Sequence, residues 1–555
     1  MKKFALLTVA VLMLTLFSGC GGEKGNQSTP KPDKTSSISD TSSDFESSEN
    51  ESVYSSEENK ADTETVSNNK TTGGSSKNSS ATSSDVSDST GEKNSEKIYE
   101  KPITENTAVL YNPQSSSYDK LSEEKRLSVI NAPDTIKPNG ETRYISFKGN
   151  DDNDGKTPAT AWATAKPLLV EDCDTVLFER GGIYRGILKI KSDTSYGAYG
   201  TGPKPVFYTG TKNYADKTLW KQTPVENIWA VRVGSVTDIG NVIFDNGKKV
   251  GMKVLKTYKN LKEDYQFYHH ADNGVLYIYL SEGNPGELFN SIELAYGHGV
   301  QSGGTPKNIV IENLCIKYAG LHGISFRKDA DNIVVRGCEI GYIGGSMSEY
   351  GRLGNGVEFV NAYSNCTVEN CWIYQCYDAG VTFQNPSGQR LTEDNMVFKD
   401  NLIEYCLYNV EIYTSETGVV TNSLISNNIL RFAGYGWGTH NRIGSTDIVA
   451  THFSFYKGNG SGVQGSQNFI IENNIFDTSI YSLIAVGFPN DSEGKGPIVR
   501  NNTYIQRSGT SGYAAWIKGD DQSTTNGVKL PATTQQELEQ SVKEVDLSPK
   551  SIILE

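Results

Sequence analysis

From Lys307 to Arg507 short runs of Ile, Val and Phe alternate with polar steps that carry Asn. Runs so brief and so rich in β-branched residues predict strands rather than paired helices. In order the steps read IENLCI, VRGCEI, VENCWI, KDNLIE, SNNILR, ENNIFD and RNNTYI. Superposed, they align Asn313, Asn370, Asn401, Asn428, Asn474 and Asn502 at one position, with Gly337 replacing the amide in the second step. A carboxamide donates and accepts, so a file of them pairs with its neighbours and with turn backbone otherwise left unsatisfied. The residue numbers give steps of 24, 33, 31, 27, 46 and 28, a range that predicts a solenoid of three-stranded coils with loops inserted at the longer steps. The step from Asn428 to Asn474 fits either one long loop, spanning 435–465, or an extra coil without its Asn.

A second strand recurs as HGISF, NGVEF, AGVTF and NVEIY. Alternation turns Ile324, Val357, Val381 and Val410 inward, followed two residues on by Phe326, Phe359, Phe383 and Ile412. Ser325, Glu358, Thr382 and Glu411 are then expected to face outward on one sheet. Glu358 and Glu411, two strands apart, would have backbones about 9 to 10 Å apart. Asp378 falls at the turn before the Thr382 strand, so three carboxylates are expected on one patch, where mutual repulsion raises at least one pKa. The segments SMSEYGRLG, NPSGQRLTE and GYGWGTHNRIGSTDIVATH rise beside these coils. The first carries Arg352, and the last brings Trp437, His440, Arg442, Asp447 and His452 toward the file. His322 stacks with Asn355, Ala379 and Tyr408 and is either a turn residue bonded to backbone or a substrate contact.

These repeats resemble the right-handed parallel β-helix of polysaccharide lyases and some glycoside hydrolases. YISFKGNDDNDGKTPATAWATAK and CDTVLFERGGIYRG resemble the opening of many extracellular β-helix enzymes, where such a stretch forms the first strands and a helical cap. GNGVEF and YDAGVTFQ resemble segments of the same broad group, across most of residues 140 to 510. The resemblance implies an all-β solenoid whose substrate groove runs along one sheet between loops. Asp151, Asp152 and Asp154 beside Gly155 fit a tight turn better than a Ca²⁺ site. Residues 205–306, with Trp220 and Trp229, break the repeat and are expected to form a β-rich insertion or elaborated early coils. The expected organisation is cap and first coils over 101–204, the coil core over 307–511 and a C-terminal cap or tail over 512–555.

Residues 1–19 place Lys2 and Lys3 before an apolar run, and Ser18, Gly19 and Cys20 follow it. This resembles a bacterial lipoprotein signal with Cys20 as the lipidated residue, although Phe17 stands where such signals usually have Leu. Residues 20–100 are dominated by Ser, Thr, Glu, Asp, Lys and Asn, too polar to repay chain entropy, and are expected to be a disordered tether. The expected location is extracytoplasmic, lipid-anchored to the cell membrane and exposed at the surface. A net charge of −14 excludes a phosphate-neutralising stripe, hence a nucleic-acid partner, and a monomer is expected. Cys338 and Cys371, aligned with Leu314, Leu402, Ile429 and Ile475, read as buried stack residues rather than disulfides or metal ligands.

Two reactions suit three carboxylates on a groove. In hydrolysis one acid protonates the leaving oxygen and another activates water, and no cofactor is needed. Asp378 and Glu411 are the expected pair, with Glu358 modulating them and Trp437, His440, Arg442, Arg352 and His322 contacting the polysaccharide. In β-elimination from a uronate the carboxylates would bind Ca²⁺, with Arg352 or Arg442 as base. A glycan-binding adhesin without chemistry is the alternative of a different class.

Overall fold

The computed structural model describes residues 115–348, 351–361, 363–385, 392–414, 418–442, 449–457, 466–487, 496–510, 512–517 and 527–555. The leader 1–19, the tether 20–100, Cys20 and Asp447 lie outside the described residues, as do the side chains of Arg352 and His440. No helix among the described residues is long and apolar enough to cross a membrane. Every described residue belongs to the compact unit Glu92–Glu555.

The chain winds through three long parallel sheets, visiting each once per coil. One coil runs from Tyr363–Glu369 in sheet I to Trp372–Cys376 in sheet II and Ala379–Gln384 in sheet III, then returns to sheet I at Thr392–Lys399. Val, Ile, Leu and Phe from all three sheets fill the interior. Among the described residues the coil between Ile429–Ala433 and Ile475–Ser479 has one sheet III strand, Thr451–Lys457, and the two sheet II strands pair directly, so the long step is one coil without an extra turn between them.

The asparagine file is displaced by one residue from the sequence alignment. Asn313, Gly337, Asn370, Asp400, Asn427, Asn473 and Asn501 share a left-handed backbone with φ from 51° to 61°. The strand register places Leu314, Cys338, Cys371, Asn401, Asn428, Asn474 and Asn502 in the next column. Only the last four form the ladder. Each of Asn401, Asn428 and Asn474 donates Nδ2 to the Oδ1 of the next amide at 2.9–3.0 Å, and Asp546 receives the Asn502 end at 2.9 Å. Cys338 and Cys371 take the ladder place in earlier coils, their thiols 3.7 Å from the carbonyls of Ile311 and Val335. Both are free and fully buried.

At the N-terminal end, where a helical cap was expected, stand two short 3-10 turns, Pro158–Thr160 and Lys166–Leu169, with Trp162 between them and Leu168 on the second packed into the core. Asp151 accepts from the Thr164 amide and hydroxyl at 2.8 and 2.7 Å, as a turn residue. Helix Gln535–Lys543, opened by a Thr534–Glu537 capping box, inserts Leu538 and Val542 into the far end. Strand Ser551–Leu554 then joins sheet II.

The α-helix Asp119–Ile130 and the chain after it lie along the outer side of sheet II. Ser116 and Ser117 bond Asp477 and Glu555 of the last coils, Arg126 bonds Glu404 at 3.0 Å, and Thr135 bonds Glu312 near the first. Between Tyr208 of sheet II and Val300 of sheet III, one coil opens into an insertion of two small sheets. The insertion has its own core around Trp220, Phe244 and Phe267.

Candidate functional site

Sheet III carries the expected file in register. Ser325, Glu358, Thr382 and Glu411 are successive partners, extended by Gln301 before them and by Ser454, Ala485 and Trp516 after. The coils come close here because Gly323, Gly356 and Gly380 precede the strands. An added Cβ would lie 2.4–2.7 Å from a carbonyl oxygen of the next coil.

The side chains point away from the coil interior yet are covered. Ser325 is 1% exposed, Glu358 3%, Thr382 0% and Glu411 3%. Strands alone cannot hide an outer face, so the exposed file expected from alternation is corrected to a file covered by other parts of the chain. Each acid is held by neutral donors. Glu358 Oε1 accepts from Ser325 Oγ at 2.9 Å, and Oε2 accepts from Asn355 Nδ2 at 3.0 Å. His322 Nε2 also lies 3.0 Å from Oε2. Because His322 Nδ1 accepts the Asn355 amide at 3.1 Å, the ring proton sits on Nε2 and donates to Glu358. Burial, with the charge of Arg327, pushes the His322 pKa down to about 3, so the ring is neutral. His298 stacks on it at 5.4 Å with its own pKa pushed down to about 3 by burial and His322. His322 is thus a support for Glu358 rather than a substrate contact.

Glu411 leans the other way along the strands. Its Oε2 accepts from Thr382 Oγ1 at 3.2 Å and from Gln384 Nε2 at 3.0 Å. Asp378 lies four residues before Thr382, about 13 Å along the strand, and Arg442 takes its Oδ1 at 3.0 Å. Arg442 also donates to the Tyr377 carbonyl at 2.8 Å. Burial opposes the Arg442 charge, but Asp378, Tyr408 and Tyr377 outweigh it and raise its pKa. Asp378, expected to pair with Glu411, forms an ion pair with Arg442.

Trp437 is 1% exposed. Its amide and indole N–H both donate to Gln375, at 2.9 and 2.7 Å, and its ring packs 5.0 Å from Tyr377. It offers no ring face to a sugar. His440 ends the same short helix, Trp437–His440, and Arg352 lies on the hairpin strand Gly351–Arg352. His452 points into the coil, fully buried against Phe476, with its pKa pushed down to about 3 by burial.

Sequence reasoning missed that the insertion contacts segments beside this file. Asp238 accepts from the Met347 amide at 2.8 Å, and Asn441 Nδ2 donates to the Gly251 carbonyl at 3.0 Å. Two loops beside the file are thereby fastened to the insertion. Asn355 and Gln384 were also missed, since only the register reveals which glutamate an amide meets. Among the described residues no group of three or more His, Cys, Asp or Glu stands close enough to hold a metal ion.

Three parallel sheets wound into one apolar-filled coil define a right-handed parallel β-helix. Residues 289–448 match the family described as "Right handed beta helix region". Solved structures similar to the chain include a GH136 lacto-N-biosidase from Eubacterium ramulus, at 13% identity and TM-score 0.37. That alignment covers 71% of this chain and 66% of the other, just under two thirds of its length. Others are XylC in complex with xylose (13% identity, 70% and 73% covered, TM-score 0.41) and a polygalacturonase from Erwinia carotovora ssp. carotovora (12%, 70% and 99%, 0.32). No curated protein matches the chain.

Proposed function

We propose that this chain hydrolyses glycosidic bonds of a polysaccharide, with Glu358 and Glu411 as the working carboxylates. The observation that carries this is two buried glutamates two strands apart in one register column of sheet III, each accepting hydrogen bonds from neutral side chains. A backbone spacing of about 9 to 10 Å leaves room for a water between the carboxyl groups and favours inversion. Arg442 serves as a positioning residue for Asp378. Its engagement by Asp378 and Tyr377 argues against the base of an elimination.

The leader motif supports export and lipid attachment at Cys20, with residues 20–100 tethering a monomeric β-helix outside the membrane. The test is incubation of the chain with plant, algal and host polysaccharides, with and without chelator, reading reducing ends and unsaturated uronate together. Reducing ends without unsaturated product support hydrolysis. Unsaturated product lost on chelation would replace it with Ca²⁺-dependent elimination, and binding without either product would make the chain a glycan-binding module.

A further inference from the structure

The outer side of sheet III changes character just before Glu358. Lys189, Gln301 and Ser325 are successive register partners leading to Glu358, and Arg327 lies two residues beyond Ser325 on the same side of its strand. Lys189 and Arg327 are exposed and Gln301 is half-buried. Among the described residues none of these three side chains carries a hydrogen bond or an ion pair. That is unusual for this molecule. Of the arginines whose side chains are described, Arg327 and Arg232 alone hold no carboxylate, whereas Arg336, Arg431 and Arg442 each do.

A carboxylate stands one strand away, yet Arg327 does not take it. Both Glu358 oxygens are occupied by Ser325, Asn355 and His322. The guanidinium is nonetheless near enough to lower the pKa of both His322 and His298. His322 offers it no acceptor, because Nδ1 takes the Asn355 amide and Nε2 faces Glu358. Lys189 and Arg327 lie two strand spacings across and two residues along, about 12 Å between backbones, and Gln301 lies between their strands with an amide donor. A guanidinium with an open fork binds carboxylate or sulfate with two parallel hydrogen bonds.

We propose that Lys189, Gln301 and Arg327 form a subsite for an anionic sugar residue next to Glu358, so that the substrate is a polysaccharide bearing carboxylate or sulfate groups. The proposal rests on the reading of sheet III as the substrate groove and of Glu358 as a working carboxylate. Bound there, the anionic group supplies the charge that Arg327 lacks and fixes the chain's direction along the file.

The test measures binding rather than turnover, by calorimetry on the full chain carrying Glu358→Gln. The probes are polygalacturonate, chondroitin sulfate, and their carboxyl-reduced and desulfated forms. At least one anionic polymer is expected to bind, about ten- to a hundredfold tighter than its neutralised form. Loss on carboxyl reduction identifies a uronate, and loss on desulfation a sulfate ester. Adding Arg327→Gln and Lys189→Gln should remove that preference, with the melting temperature unchanged. Equal binding of charged and neutralised polymers, an unaffected Arg327→Gln variant, or no binding of either anionic polymer would overturn the proposal. Tight, Arg327-dependent binding without reducing ends from the unsubstituted chain would instead overturn hydrolysis and leave the subsite standing.

Discussion

Replacing Glu393 with Met should stabilise the protein by an amount that grows with pH. Glu393 lies on the sheet I strand Thr392–Lys399, in register with Tyr363 and Val420, whose side chains belong to the coil interior. It is 0% exposed and neither carboxyl oxygen has a hydrogen-bond partner. Burial pushes its pKa well above the ordinary carboxylate value. The folded chain therefore keeps a proton that the unfolded chain releases above about pH 4.3. More protons bound in the folded state means that stability is fully present below that pH and falls as pH rises toward the folded pKa. The slope is about 1.4 kcal/mol per pH unit. As pH rises from the unfolded toward the folded pKa, the wild type should lose stability through this group, and the methionine variant should lose none of it. A further pH-independent gain of about 1–3 kcal/mol comes from removing an unpaired polar group from the interior. Urea melts of both full chains at three pH values give the difference directly, because other titrating groups cancel. A gap that stays constant with pH, or a wild type more stable at the higher pH, would refute the reasoning.

Glu358→Gln should lower turnover by about 10²–10⁴-fold in reducing-end release while leaving the fold intact, as loss of an acid–base group does. His322→Phe should lower turnover through Glu358 while His322→Gln, which can still accept from Asn355 and donate to Glu358, should recover most of it. With the His322 pKa at about 3, the rate profile should show no limb from this ring between about pH 5 and 8. Trp437→Ala should cost about 3–5 kcal/mol of stability by calorimetric melting, the penalty of a core cavity, and leave sugar affinity unchanged. Asn428→Leu should cost about 1–3 kcal/mol, because it strands the amides of the coils on either side.

The coil was legible because its strongest signals are local. Alternation in NGVEF and AGVTF fixes which residues turn inward, and the glycine at the same place in three coils marks the backbone approach that locks the register. The one-residue displacement of the ladder has a physical origin. Asn both tolerates left-handed φ and bonds through its amide, so in SNN, ENN and RNN the doublet hides which residue does which. With a single Asn, as in IENLCI, the backbone requirement won and Leu314 took the ladder column. The groove's contents were less legible, because they depend on contacts far apart in sequence. Nothing near Asp378 announces Arg442, and nothing in GWGTH says that Trp437 turns down onto Gln375. Glu393 sits among Thr, Asp and Asn at a strand's start, where a polar run suggests solvent.

The segment 115–136 changes how the body bears load. A solenoid on its own is a stack of neighbours, and its end coils fray first. Here the first described residues hold the last coils, where Arg507 donates to the Ser115 carbonyl and Ser117 bonds Glu555, while Thr135 and Asp134 grip the first through Glu312 and Arg180. A pull on the N-terminal side therefore reaches the structure at its C-terminal end. It meets Asp477, Arg431 and Glu404 in succession along sheet II, and then Glu312 at the end of a sheet I strand. Force applied there peels a row of charged bonds one at a time before it reaches the coils, so the segment acts as a mechanical fuse that spares the groove on sheet III.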